Sequence, residues 1–154
     1  MKPISFLLFA VCLFPASCAF AQEYRHQLGV RLGSTDQVVS SGFSYRYHID
    51  ETQGLEILLN LNTPVSVALL YERFRPLGGE MPLRWYYGGG AFAGFRGRDV
   101  LGATGILGLD YQFEGNFPVN LSADWKPELT LVDAVRFRAG TVGLTVRFSF
   151  PVKK

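Results

Sequence analysis

The chain has 154 residues, 48% of them hydrophobic, and its 15 basic residues nearly balance its 13 acidic ones. This length suits a single domain. Because basic and acidic residues are nearly equal in number, the composition gives no reason to expect a nucleic-acid partner. Both cysteines, Cys12 and Cys18, precede position 22. If the chain is cut there, the mature protein has no disulfide framework and no thiolate metal site.

The first predicted element is a secretory signal over residues 1–21. Lys2 supplies the positive charge at the beginning, and an apolar run extends from Ile4 to Phe14. Ala19-Phe20-Ala21 then gives the small-residue pattern that precedes a cleavage point. The apolar run is too short to span a bilayer. The sequence therefore predicts an exported domain of residues 22–154.

One alternative for this segment stays open. Ala16 and Ser17 are small and precede Cys18, as in lipoprotein processing sites, although Pro15 stands where such sites usually carry leucine. Later in the chain there is no apolar run of about 18 residues or more, so we expect no helical membrane anchor.

From Tyr24 onward, apolar residues alternate with small or polar ones, which is typical of strands with one apolar face. Eight such segments can be counted: Tyr24 to Gly33, Gly42 to Ile49, Gly54 to Leu61, Val67 to Glu72, Arg84 to Phe95, Gly102 to Phe113, Val119 to Lys126 and Thr141 to Phe150. Most approach the roughly 9 to 11 residues that a tilted membrane strand needs, and turn-forming residues separate them. The pattern predicts an all-β fold, an eight-stranded antiparallel up-and-down transmembrane β-barrel with short loops.

The last segment shows the alternation most clearly, with an apolar face that runs from Val142 to Phe150. Val135 and Phe137, just before it, have the opposite parity. A one-residue slip of this kind is how a strand corrects its facing within a ladder. We therefore predict a β-bulge at Gly140, within Ala139 to Thr141.

An even number of antiparallel strands places both termini at one end, which in membrane barrels is the periplasmic end. Most aromatic residues of the apolar parity fall at that end, as an interfacial girdle requires. The predicted girdle consists of Tyr24, Tyr47, Tyr71, Trp85, Tyr87, Tyr111, Phe113, Phe148 and Phe150. Phe43, Phe95 and Trp125 form a thinner girdle at the other end, and Arg73 is expected to snorkel to water from the apolar face.

The opposite parity is predicted to line the interior and carries charges of both signs. They are Arg25, Arg31, Arg46, Glu56, Glu72, Arg84, Asp110, Asp124, Lys126, Glu128 and Arg147. Charges confined in a narrow barrel must be paired and hydrogen-bonded, so we expect a network that plugs the lumen. Many glycines share this face and the mature chain has only three lysines, which favours a membrane barrel over a soluble one.

Three stretches carry a family resemblance: Trp85 to Ala91, Leu107 to Phe113 and Pro118 to Trp125. They resemble the second half of small outer-membrane β-barrel proteins of the Bacteroidota type, which are similar in fold to the OmpA and OmpX barrels. The resemblance implies a monomer in outer-membrane lipid, inserted by the barrel-assembly machinery. The tail Pro151 to Lys154 departs from it, because such barrels usually end on the aromatic residue.

The predicted function is therefore a structural or envelope-interaction role in the bacterial outer membrane, with no catalytic residues, no cofactor and no metal. His26 and His48 have opposite parity, so they are not expected to share a metal ion. The alternatives are a small-solute or lipid transport channel, a soluble lipocalin-like carrier, a lipid hydrolase, and partner binding through the loops.

Overall fold

The computed structural model of the chain describes residues 24–33, 38–79, 81–95, 99–113, 117–132, 134–140 and 142–151. These residues contain ten strands: β1 (Tyr24–Leu32), β2 (Gly42–His48), β3 (Gln53–Asn60), β4 (Val65–Pro76), β5 (Leu83–Phe95), β6 (Val100–Gln112), β7 (Val119–Trp125), β8 (Glu128–Thr130), β9 (Arg136–Arg138) and β10 (Val142–Pro151). Within the described ranges no helix is long and apolar enough to cross a membrane. The predicted signal over residues 1–21 and the alternative lipidation at Cys18 lie outside them.

The strands close into one antiparallel barrel. Strands β1 to β6 pair in sequence order, β6 pairs with both β7 and β8, and β10 pairs with β7 and β1. Strands β7 and β8 keep one register against β6 on either side of Pro127, which lacks a backbone N–H, so together they form one strand of the barrel wall. Strands β9 and β10 together form the last one. The predicted eight-stranded up-and-down barrel is confirmed.

The strand register also fixes the width of the barrel. The circuit starts at Phe137 and passes from each residue to its partner on the neighbouring strand. After one turn around the barrel it arrives at Phe148, 11 positions further along the same strand. One of these positions is an extra residue near Gly140, so the stagger is ten residues. With strands about 4.8 Å apart and about 3.3 Å per residue, this stagger gives a tilt of about 40° and a radius of about 8 Å. Side chains alone can fill an interior of that size.

The slip predicted near Gly140 is present. The register of β9 against β8 and that of β10 against β7 differ by one residue, so the last strand has one residue more than its neighbour. Gly140 has a φ of +73°, a left-handed conformation that glycine adopts without strain. Phe137 and Val142 both face outward as a result, with exposed fractions of 66% and 68%.

The two faces of the wall differ in chemistry. Leucine, valine, isoleucine and aromatic side chains cover the outside, whereas the buried side chains inside are mostly polar or charged. Leu58 and Leu70, which interrupt the alternation of the sequence, point inward. They belong to a buried apolar cluster with Ala68, Phe92 and Ile106 on β3 to β6. One side of the interior is therefore apolar, and the charges lie on the other side and toward one end.

The terminal end of the barrel contains Tyr24 and Pro151, the first residue of β1 and the last of β10, which pair with each other. The loop end is the opposite end, where β1 gives way to β2.

Candidate functional site: the filled barrel interior

The predicted interior charges lie inside the barrel, and ten of them form ion pairs with one another. These are Arg31, Arg46, Glu56, Glu72, Arg84, Asp110, Asp124, Lys126, Glu128 and Arg147. Arg25, also predicted for this set, is half-buried at the beginning of β1. Only Arg84 among the ten has a side chain that is appreciably exposed, at 26%. The alternation places these residues on one face, and the closure of the barrel brings them together.

Six of the charges form a compact group, here called the six-charge cluster: Arg46, Arg84, Arg147, Glu56, Glu72 and Asp110. Its centre is Arg46, whose Nε lies 2.8 Å from Glu72 Oε2 and whose NH1 group lies 2.8 Å from Asp110 Oδ1. Arg84 approaches the second oxygen of Asp110 at 2.7 Å. Three guanidinium groups thus face three carboxylates, and the cluster carries no net charge.

Neutral groups add hydrogen bonds to the cluster. Arg147 forms an ion pair with Glu56 and donates to Ser44 Oγ and Ser122 Oγ, both at 2.7 Å. Asn120 donates to Asp110 at 2.9 Å. Planar guanidinium groups with five N–H donors suit such multiple contacts better than an ammonium would. These side chains come from β2, β3, β4, β5, β6, β7 and β10, so the cluster ties the wall together across its whole width.

Aromatic rings pack against the same guanidinium groups. The Arg46 guanidinium carbon lies 5.1 Å from the ring centroid of Phe74 and 4.9 Å from that of Tyr86, and that of Arg84 lies 4.8 Å from Phe74. A cation over an aromatic face gains electrostatic attraction, most strongly where water is excluded. His48 also faces inward, with its ring centroid 5.0 Å from that of Phe74.

A separate ion pair joins Arg31 of β1 to Asp124 of β7 across the interior. Both side chains are almost fully buried, and the Tyr86 hydroxyl donates to the other Asp124 oxygen at 3.4 Å. Gly143 of β10 lies beside this pair. A β-carbon at position 143 would overlap the Arg31 guanidinium, so glycine leaves the space that the guanidinium occupies.

At the loop end, residues 38–41 fold into the barrel, and we call this segment the inward loop. The backbone N–H groups of Val38 and Val39 donate to the Glu128 carboxylate at 2.8 Å and 3.2 Å. The Val38 carbonyl accepts hydrogen bonds from Asn60 at 3.0 Å and Ser66 at 2.7 Å. Lys126 Nζ lies 2.6 Å from Glu128, so the carboxylate is neutralised while it binds the loop.

The sequence did not predict the inward loop, since the alternation indicated only a short loop between the first two strands. The described part, 38–41, instead covers the interior. The pocket beneath it, lined by Arg31, Val39, Leu58 and Asn60 among others, has no room for a water molecule. The available signal was the pair Val38 and Val39, two apolar residues in an otherwise polar stretch.

Eight of the nine predicted girdle residues lie on the outer face at the terminal end of the barrel: Tyr47, Tyr71, Trp85, Tyr87, Tyr111, Phe113, Phe148 and Phe150. The ninth, Tyr24, is half-buried at the beginning of β1, where the register against β10 shifts. Trp85 stacks on Tyr87 with centroids 5.3 Å apart and an interplanar angle of 25°, and Tyr111 with Phe113 and Phe148 with Phe150 form edge-to-face pairs. These rings form an aromatic belt at that end, with none of them on β3 or β7.

The two histidines are separated by the barrel wall. His26 faces outward and its Nδ1 is 2.9 Å from the Tyr45 hydroxyl, whereas His48 is buried inside. Among the described residues, no three His, Cys, Asp or Glu side chains are grouped to hold a metal ion.

Comparisons with models of protein families and with curated proteins give no match to this chain. The fold and the interior define the class of protein: an eight-stranded antiparallel barrel that is apolar outside and filled with paired charges inside.

Proposed function

We propose that this protein is an integral outer-membrane β-barrel with a closed lumen and a structural or envelope-interaction role. The observation that carries the proposal is the apolar outer face. Mid-strand residues such as Leu28, Leu107 and Val146 are 47–53% exposed, which is far more contiguous apolar surface than soluble monomers present. A surface of this kind, bounded by an aromatic belt, is suited to hydrocarbon.

The interior supports the closed-lumen part of the proposal. A diffusion pore needs a continuous water-filled path, but here the six-charge cluster crosses the barrel and the inward loop covers the loop end. In a medium of low dielectric constant, paired and hydrogen-bonded charges avoid the desolvation cost of isolated ions. The cluster therefore serves as the core of the protein.

The alternative of a lipocalin-like carrier fits this arrangement less well. Such a carrier would hold its ligand in an interior largely lined by apolar groups and present polar groups to water. The distribution here is the reverse, with Arg46, Arg147 and Glu72 buried and Leu144 and Val146 exposed. The resemblance to small outer-membrane barrels agrees with the membrane interpretation, and with it we propose a monomer inserted by the barrel-assembly machinery.

The test is the fate of the full-length chain expressed in a Gram-negative host. We expect it in the outer-membrane fraction, starting at Gln22, with faster migration on a gel before boiling than after, because closed barrels resist unfolding by detergent. Recovery in the soluble periplasm without any such shift would contradict the proposal and favour the carrier.

A further inference from the structure

Two arginines are the exception on the apolar outer face. Arg73 and Arg75 of β4 are the only charged residues at outward positions of the ten described strands, and both are exposed. They follow one another on the same face, so their Cα atoms lie about 7 Å apart. Both stand within the aromatic belt at the terminal end, and within the described residues neither forms an ion pair with a carboxylate.

Aromatic and amide side chains surround the pair on neighbouring strands. Arg73 is directly opposite Gln53 on one side and Tyr87 on the other, and Arg75 is opposite Trp85. The Trp85 and Tyr87 rings stack on each other. The arginines therefore occupy a frame of interfacial residues, where a lipid headgroup meets its acyl chains.

A line of hydrogen bonds fixes the position of Arg73. Its Nε donates to the Tyr71 hydroxyl at 3.4 Å, the Tyr71 hydroxyl donates to Gln53 Oε1, and Gln53 Nε2 donates to Asp50 Oδ2 at 2.7 Å. A guanidinium has five N–H donors, so after the Tyr71 contact about four remain for an anion.

The carboxylate at the other end of this line, Asp50, does not compete for these donors. In the turn between β2 and β3, Asp50 accepts the Thr52 N–H at 2.7 Å and the Thr52 hydroxyl at 2.8 Å, and its second oxygen accepts from Gln53. The Thr52 backbone hydrogen bond is the main reason that the pKa of Asp50 lies below its ordinary value. Asp50 thus stays ionised and bound within its own turn, at the far end of the line that holds Arg73.

We propose that Arg73 and Arg75, framed by Tyr71, Tyr87 and Trp85, bind the phosphodiester of a membrane phospholipid in the leaflet at the terminal end. The inference rests on the proposed membrane function. A guanidinium fork matches two phosphate oxygens, and the net positive charge of the site favours phospholipids whose headgroup is anionic overall. Each arginine should contribute about fivefold to that preference, which corresponds to about 1 kcal/mol.

The experiment uses Trp85 as the reporter. The chain has two tryptophans, so Trp125→Phe leaves Trp85 alone beside the proposed site. The protein is refolded in phosphatidylcholine vesicles that contain a fixed fraction of brominated phosphatidylglycerol or, in parallel, brominated phosphatidylcholine. We expect the brominated phosphatidylglycerol to quench Trp85 more strongly. Arg73→Gln with Arg75→Gln should remove this difference, and Arg73→Lys with Arg75→Lys should restore part of it.

Matched controls separate a site from general charge effects. Arg136→Gln with Arg138→Gln removes the same charge at the loop end and should leave the preference seen by Trp85 unchanged. A Trp85→Phe protein, which reports from Trp125, should not respond to the changes at positions 73 and 75. If the two brominated lipids quench Trp85 equally in a barrel that has inserted and migrates differently before and after boiling, this inference is overturned and the proposed function is not. Loss of the preference with soluble inorganic phosphate would assign the site to free phosphate instead, and failure to insert would overturn the proposed function.

Discussion

Arg46 and Glu72 are both fully buried in the barrel, and Arg46 Nε lies 2.8 Å from Glu72 Oε2. The same guanidinium contacts Asp110 at 2.8 Å and Glu56 at 3.7 Å. If Arg46 loses one of these carboxylates, no water can replace it, because the guanidinium is fully buried. The stability of the folded barrel therefore depends on the balance of three positive and three negative groups, and each carboxylate neutralises part of the total positive charge of the cluster.

Glu72→Ala should therefore destabilise the protein by about 3–5 kcal/mol, because it leaves the six-charge cluster with a net positive charge away from water. Asp110→Ala should have an effect of similar size, since it removes a contact of both Arg46 and Arg84. Urea unfolding in phospholipid vesicles measures the free energy. Asp99→Ala, at an exposed position, is the control and should change it by less than about 1 kcal/mol. Two interior variants as stable as the parent would show that water reaches the cluster.

The pair of Arg31 and Asp124 allows a cleaner test, because each is the other's main charged partner. Asp124→Leu alone should cost about 3–5 kcal/mol, since it leaves a buried guanidinium uncompensated. The double variant Arg31→Met with Asp124→Leu removes both charges and should recover most of that loss. Denaturant unfolding of the two single variants and the double variant gives the coupling free energy. A double variant as unstable as the sum of the singles would contradict the pairing.

A side chain at position 143 should destabilise the barrel, because a β-carbon there overlaps the Arg31 guanidinium. Gly143→Ala should push Arg31 away from Asp124 and cost about 1–3 kcal/mol. Gly105, on the outer face of β6, is the control, because a β-carbon added at that position would lie 3.5 Å from Pro127 Cγ, an ordinary contact. Gly105→Ala should change stability by about 0.5 kcal/mol or less. Equal effects at both positions would mean that the loss at position 143 does not come from the overlap with Arg31.

Much of this fold could be predicted because a strand has only two faces. Once the parity of Val142 to Phe150 was set, the facing of nearly every wall residue followed, including the inward arginines and the outward girdle. Even the slip at Gly140 was visible, since the apolar residues change parity there. The individual ion pairs could not be predicted, because the partners come from strands far apart in sequence and depend on the stagger of the closed barrel.

The inward loop was missed for a different physical reason. A loop has no period, so nothing in its pattern says whether it extends into water or folds back. Its direction depends on partners that only the closed barrel assembles: the Glu128 carboxylate, Asn60, Ser66 and the apolar cluster beneath Val38 and Val39. Leu58 and Leu70 looked like mild errors in the alternation, although they help to form the floor on which the loop packs.

The lumen should remain closed even when the inward loop is released. Glu128→Ala removes the acceptor of the Val38 and Val39 N–H groups, which should loosen the loop. The six-charge cluster lies nearer the terminal end and does not depend on Glu128. Planar-bilayer recordings of the refolded wild type and of Glu128→Ala should therefore both show no steady ohmic conductance. Such conductance in the wild type would contradict the closed lumen and favour a transport function, and its appearance only in Glu128→Ala would identify the loop as the sole barrier.

The medium against the outer face determines how much a charge placed there costs. Leu107 and Leu131 are almost equally exposed, at 47% and 53%, but Leu107 stands in the middle of β6 and Leu131 follows β8 at the loop end. In water, a lysine at either position would cost little, because surface substitutions usually change stability by about 0.5 kcal/mol or less. In a bilayer the cost depends on depth, about 2–4 kcal/mol at the midplane and about 0–1 kcal/mol near an interface.

Leu107→Lys should therefore destabilise the protein by about 2–4 kcal/mol in phosphatidylcholine vesicles, whereas Leu131→Lys should cost about 1 kcal/mol or less. Urea unfolding of the two variants and the parent in the same vesicles measures this difference, which exposure alone does not produce. If Leu107→Lys and Leu131→Lys unfold at the same urea concentration, position 107 does not lie in hydrocarbon, and the membrane proposal is contradicted.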